Sequence, residues 1–211
     1  MSLEIVKLAL GATMTNAYLI CETETNQAVV IDPGWEGEKI LAEAKQRGWE
    51  ISQIWLTHAH FDHCGAVGEV AKAFEPVLPV AMHPEDKFLW EMQGGAPLFG
   101  IDGIDVGPEP SIVLAHGQNL QLGTLNFEVR HAPGHTPGHV MFSCPEEKVL
   151  FCGDVIFYGS IGRTDLPRGD FDTLLNSIRE QVFNLADDTR LLNGHGPETT
   201  VGFEKENNPF L

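Results

Sequence analysis

The sequence predicts an α/β domain built in layers and spanning residues 1–211. Apolar runs of strand length recur along the chain, segments of helical spacing lie between them, and no repeat or low-complexity linker divides it. In order, strands are expected at Ile5–Leu10, Ala17–Cys21, Ala28–Ile31, Gln53–Thr57, Val77–Met82, Leu125–Val129, Val140–Ser143 and Val149–Cys152. Helical spacing at Gly37, Ile40, Leu41 and Ala44 predicts a helix that Gly48 stops. The same spacing recurs at Val67, Val70, Ala71 and Phe74, and again at Leu174, Leu175, Ile178, Val182 and Leu185. Gln93–Pro110 (QGGAPLFGIDGIDVGPEP) reads as a long surface loop, a feature that compact domains keep mostly to cover a site.

Hydrophobic residues make up 43% of the chain, which is the composition of a soluble globular protein rather than a disordered one. No apolar run approaches the roughly 18 to 20 residues that cross a bilayer, and MSLEIVKLALG carries Glu4 and Lys7 inside its apolar stretch, so neither a membrane span nor a signal peptide is expected. Cys21, Cys64, Cys144 and Cys152 form no C-x-x-C pair; Cys21 and Cys152 lie in strand-like runs and read as buried free thiols, with the cytoplasm as the expected compartment. The net charge of −17, from 30 acids against 13 bases, argues against nucleic acid or an anionic membrane as partner.

The chemistry concentrates in LTHAHFDHCG, Leu56 to Gly65, which holds three of the nine histidines. An extended chain points His58 and His60 to one side, and Asp62 and His63 follow at the turn into a helix expected to start near Cys64. Imidazoles with a carboxylate are ligands that zinc and iron accept, and a nitrogen and oxygen set is typical of open catalytic sites rather than closed structural ones. Further candidates lie in glycine-bounded turns: His135 and His139 in APGHTPGH, Asp154 after a buried strand in FCGDVIF, and His195 after another in LLNGHGP. A carboxylate beside a core strand needs a partner, which a metal supplies.

T-H-A-H-F-D-H, P-G-H-T-P-G-H, G-D and G-H-G-P, in that order, resemble the metallo-β-lactamase superfamily over nearly the whole chain. The resemblance implies an αββα sandwich with metals where both sheets end. It implies that His58, His60 and His135 hold one ion, that Asp62, His63 and His195 hold a second, and that Asp154 bridges them, Asp62 and Asp154 being the catalytic carboxylates. Zinc is the expected metal, with iron or manganese as alternatives. His83, His116 and His131 stay outside the set as solvated or hydrogen-bonded residues, Cys64 as a small buried helix residue, and His139 has a supporting role open to it.

Two divalent ions, two carboxylates and one hydroxide leave about +1 at the site, a cationic spot in an acidic molecule that can hold an anion locally. Metal coordination lowers the pKa of water from 15.7 to roughly 7, on the order of 12 kcal/mol towards hydroxide, whereas a histidine base contributes roughly 3 to 5 kcal/mol. The expected reaction is therefore metal-assisted hydrolysis by a bridging hydroxide. GSIGRTDLPRGD and the ending ETTVGFEKENNPFL are similar to the short bacterial type of glyoxalase II, which implies a small thioester substrate such as S-lactoylglutathione. In true β-lactamases the position of Asp154 is usually not aspartate, which points away from antibiotics. Full-length glyoxalase II adds a C-terminal helical region with basic residues for glutathione, and this chain ends 16 residues after His195. Arg163 matches a basic residue of the family and is the candidate substrate-binding residue, while Asp165 stands where the family has tyrosine. Persulfide dioxygenases share G-R-T-D, so a mononuclear iron site on His58, His135 and Asp154 stays open, as does a metal-binding protein without catalysis.

Overall fold

The computed structural model describes residues 2–211. Its first sheet runs in the order β1 (Leu3–Leu10), β2 (Thr15–Glu22), β3 (Gln27–Ile31), β4 (Glu50–Trp55), β5 (Val80–Met82), β6 (Ile112–Val113), antiparallel up to β3 and parallel beyond it. The second contains β7 (Asn119–Leu122), β8 (Leu125–His131), β9 (Val140–Cys144), β10 (Val149–Gly153), β13 (Arg190–Asn193) and β14 (Thr199–Thr200) in the order β14-β13-β10-β9-β8-β7; only β10 and β13 pair in parallel. A small hairpin, β11 (Ile156–Phe157) with β12 (Ser160–Ile161), stands apart.

Alternation along the strands builds the layers. Every residue of β2 is buried because its two faces feed two different cores. Leu19 and Cys21 pack with helices α1 (Gly37–Arg47), α3 (Val67–Ala71) and α4 (Lys87–Glu91), whereas Tyr18 and Ile20 face the second sheet. In β10, Val149 and Phe151 join that inter-sheet core, while Leu150 and Cys152 pack under α5 (Phe171–Gln181) and α6 (Val201–Asn207). The result is α, β, β, α. Trp55 locks the middle, with ring centroids 5.2 Å from Phe127 and 5.3 Å from Phe142. No helix among the described residues is long and apolar enough to cross a membrane.

The eight expected strands all appear, with shifted ends. The strand expected at Gln53–Thr57 is β4, which ends at Trp55; Leu56 and Thr57 already belong to the loop. The two later helices stop short of their last apolar residues: α3 ends at Ala71 and α5 at Gln181, yet Phe74 and Leu185 still pack on the cores from the turns beyond. Apolar spacing reports burial, not the hydrogen-bond ladder. The helix expected near Cys64 is instead a single turn, α2 (Phe61–Cys64), which takes Asp62 and His63 into it.

Gln93–Pro110 also differs from the expected surface loop. Gln93–Phe99 forms 3₁₀ turns in which Gly94, Gly95 and Ala96 are buried. A Cβ on Gly94 would lie 2.4 Å from the backbone nitrogen of Phe61, so this glycine lets the segment press directly on the histidine-rich loop.

Candidate metal centre

The site forms because the parallel pairs β3–β4 and β10–β13 bring their carboxyl ends together. His58 and His60 follow β4, Asp154 follows β10 and His195 follows β13; His135 precedes β9, which runs antiparallel beside β10. The sheets are tied at this edge by a bridge between Thr15 and His195 and by the Asn16 N–H donating to Gly194 O at 2.7 Å.

Two trios of ligand-type atoms converge there: His58, His60 and His135, and Asp62, His63 and His195, each within 4.8 Å. Asp154 lies between them, with Oδ1 3.4 Å from His63 Nε2 and Oδ2 3.6 Å and 3.5 Å from Nε2 of His135 and His195. The approach is close enough that a Cβ on Gly194 would stand 2.1 Å from Asp154 Oδ1, so only glycine fits.

His60 Nδ1 faces His135 Nε2 at 2.9 Å, and on the other four ligand histidines the second ring nitrogen is held by an oxygen partner. Thr57 Oγ1 donates to Asp32 Oδ2 at 2.6 Å and therefore accepts from His58 Nδ1 at 3.0 Å. His63 Nδ1 donates to Asp32 at 3.0 Å, His135 Nδ1 to Arg163 O at 2.7 Å and His195 Nδ1 to Thr13 O at 3.3 Å. Each of these rings turns Nε2 into the site. His58 Nε2, His63 Nε2 and Asp154 Oδ1 are buried with no hydrogen-bond partner. Orphaned buried polar atoms are costly, and three of them facing one spot fit a cation. The donor set suits a two-metal centre.

The charges divide in the same way. Burial, reinforced by the neighbouring histidines, pushes His58 well below the usual histidine range, and burial with His135 lowers His60 to about 3. Burial also opposes charge on His63 and His195, but Asp154 and Asp62 outweigh it, raising His63 well above its ordinary value and His195 to about 9. Burial opposes ionisation of Asp154, and His63 and His195 overcome it, holding the carboxyl well below its ordinary range. The first trio thus offers neutral imidazoles; in the second, protons stand where cations would neutralise the carboxylates.

Above the centre opens a cavity of about 460 Å³ with an apolar wall of Phe61, Phe99, Phe157, Ile161 and Leu166. Arg163 reaches its rim, but its guanidinium forks onto Asp165 at 2.7 Å and 2.8 Å.

A sequence profile of the metallo-β-lactamase superfamily matches residues 10–195. The chain belongs to this superfamily. Hydroxyacylglutathione hydrolase GloC of Haemophilus influenzae is 42% identical over 212 residues, covering 100% of this chain and 98% of its own. Among solved structures, BLEG-1, described as a B3 metallo-β-lactamase, gives a TM-score of 0.91 at 39% identity, with 99% of both chains covered. TTHA1623, solved in a di-iron-bound form, gives 0.88 at 43% identity, covering 98% of this chain and 100% of that one.

The structure of this metallo-β-lactamase-superfamily chain gathers all seven candidate ligands at one sheet edge. His139 supports them: its Nε2 accepts the Asp154 N–H at 3.0 Å and its ring stacks on His58. His83, His116 and His131 lie elsewhere and are hydrogen-bonded, with His83 stacked on His131 at 4.2 Å. All four cysteines are buried free thiols. Sequence reasoning missed Asp32, whose carboxylate also accepts the Thr57 N–H at 2.8 Å. Its signal was present: VVIDPG places an acid straight after a buried strand, the cue that singles out Asp154 in FCGD.

Proposed function

We propose that the chain is a metal-dependent thioester hydrolase, close in kind to glyoxalase II and acting on S-lactoylglutathione or a related thioester. The observation that carries this reading is the pair of ligand trios joined by Asp154 at the floor of an apolar cavity. His58, His60 and His135 would hold one divalent ion and Asp62, His63 and His195 the other, with Asp154 between them. Zinc and iron both suit these ligands. When bound, such ions lower the pKa of water and polarise a carbonyl. The protein's own groups then have limited tasks. The Asp62 and Asp154 carboxylates accept hydrogen bonds from the attacking water and hold its orientation, and the apolar wall excludes bulk solvent. Four buried free thiols accord with a reducing compartment such as the cytoplasm.

The leaving group favours a thioester. Among the described residues lining the cavity, Arg163 is the sole ionisable side chain outside the proposed ligand set, and a guanidinium does not give up its proton. A departing thiolate, with an ordinary thiol pKa near 8.5, needs little protonation, whereas a departing amine needs a proton. The likeness to BLEG-1 supports β-lactam hydrolysis as a second reading, against which this absence of an acid counts. Metal analysis of the purified protein should find two ions per chain, and S-lactoylglutathione should be turned over faster than a chromogenic cephalosporin. A single tightly held iron with oxygen uptake on glutathione persulfide would replace the hydrolase with a dioxygenase.

Two predictions arise from this geometry. His195 is charged at neutral pH in the metal-free protein, as is His63, so an ion must displace their protons. Metal affinity should therefore rise with pH through about 9, where His195 gives up its proton, and calorimetric titrations at pH 7 in buffers of different ionisation enthalpy should show proton release. No dependence on buffer would exclude His63 and His195 as ligands. Second, Phe99 lines the cavity while Leu98 and Phe99 are half exposed, so saturating glutathione should slow proteolytic cleavage after them. Unchanged cleavage would remove the Gln93–Phe99 segment from the mouth.

A further inference from the structure

Asp86 is fully buried, at the end of a 3₁₀ turn that follows β5. Among the described residues its hydrogen-bond partners include no candidate ligand. Its Oδ2 accepts from Ala59 N–H at 3.0 Å and from Thr136 Oγ1 at 2.8 Å, and its Oδ1 accepts from Gly138 N–H at 2.7 Å. Ala59 sits between His58 and His60, and Thr136 follows His135 directly. One carboxylate therefore ties together the two loops that carry the three histidines of the first trio, loops 75 residues apart at His60 and His135. Asp32 does nothing comparable for that pair of loops: it holds His63, in the second trio, and Thr57.

We propose that Asp86 is a positioning residue that sets the spacing of the His58, His60 and His135 ligands and so tunes one metal position selectively. The inference rests on the two-metal reading above. A buried carboxylate is costly unless its oxygens are fully used, and here three donors from two loops use them. Because each oxygen faces a backbone N–H, an amide at this position has to turn its NH₂ towards one of them. Asp86→Asn therefore gives up at least one of these two backbone bonds, to Ala59 or to Gly138, and loosens the tie between the loops while keeping the shape of the side chain. Thr136→Val removes a single bond at nearly constant volume.

The test is stepwise titration of the metal-free protein with cobalt(II) against a chromophoric chelator, read as two dissociation constants and by the visible spectrum of the bound ions. In Asp86→Asn one ion should bind about 10- to 100-fold more weakly, the scale seen when the outer partner of a metal ligand is lost, while the other stays nearly unchanged. Thr136→Val should weaken the same ion by less. A merely structural role would lower the melting point without separating the two constants. Equal weakening of both ions, or no change in either, overturns the proposal. If Asp86→Asn does not fold, the Thr136→Val titration decides alone by the same criterion. Fewer than two ions in the unaltered protein would instead bring down the two-metal reading itself.

Discussion

Asp154→Ala is expected to leave the protein unable to hold two ions and to abolish most of its thioesterase activity. The side chain is buried, and its two oxygens reach His63, His135 and His195, so no single neighbour can replace it. A ligand present at about 1,000 times its Kd stabilises the native state by roughly 4 kcal/mol. For a chain of this size each kcal/mol moves Tm by about 2–4 °C, so losing one tight ion should shrink the metal-dependent rise in Tm by about 8–16 °C. Forfeiting even a quarter of the roughly 12 kcal/mol that coordination gives towards hydroxide corresponds to a loss of kcat/KM of about 100-fold or more.

The same variant has a signature without metal. The pKa of His195 is about 9 in the folded protein and lower when unfolded, because Asp154 and Asp62 favour its charged form. That contribution to stability is fully present below the ordinary histidine pKa of about 6.5 and is lost as pH rises through about 9. Metal-free wild type should therefore lose stability over that window, and metal-free Asp154→Ala should lose less of it. Elemental analysis and melting curves from pH 6 to 10 check both. A variant that retains two tight ions would show that Asp154 bridges nothing.

How far the sequence reveals this depends on distance along the chain. His58, His60, Asp62 and His63 are legible because one loop carries them, and β2, β3 and β10 because burial on both faces makes them nearly continuous apolar runs. The strands β6 and β14 have two residues each, and β7 has four, too few for a period to emerge. Helices α2 and α4, of four and five residues, owe their existence to packing rather than to propensity. Even the well-read α1 takes its N-terminal partner from afar: Glu69 accepts the N–H groups of Gly37 and Glu38, both at 2.8 Å. The roles of Asp32 and Asp86 are of this kind. Nothing near them in sequence is a ligand, and their meaning comes from loops that only the fold brings together.

Arg163 is where a local reading meets a local competitor, and Arg163→Ala should raise KM for S-lactoylglutathione while sparing a small neutral thioester. Its main-chain oxygen holds His135 Nδ1, a contact that the substitution leaves in place, so the metal site should persist. Arg163 is the one residue at the cavity rim with a permanent positive charge outside the proposed ligand set. A charge-assisted bond to a substrate carboxylate contributes about 1.5–3 kcal/mol, or roughly 10- to 150-fold. The fork, however, is already occupied by Asp165 across an exposed pair, and a substrate must displace it. Exposed pairs exchange at little cost, so the expected loss in kcat/KM falls to roughly 5- to 30-fold. The competitor supplies the decisive control. Asp165→Asn removes the rival carboxylate and should lower KM for the glutathione ester, in the opposite direction from Arg163→Ala, with the neutral thioester again unaffected. Parallel losses on both esters in Arg163→Ala would assign the residue to the support of His135. Indifference of KM to both substitutions would mean that the acid tail of the substrate lies elsewhere, and that the apolar wall of Phe61, Phe99 and Phe157 does the selecting.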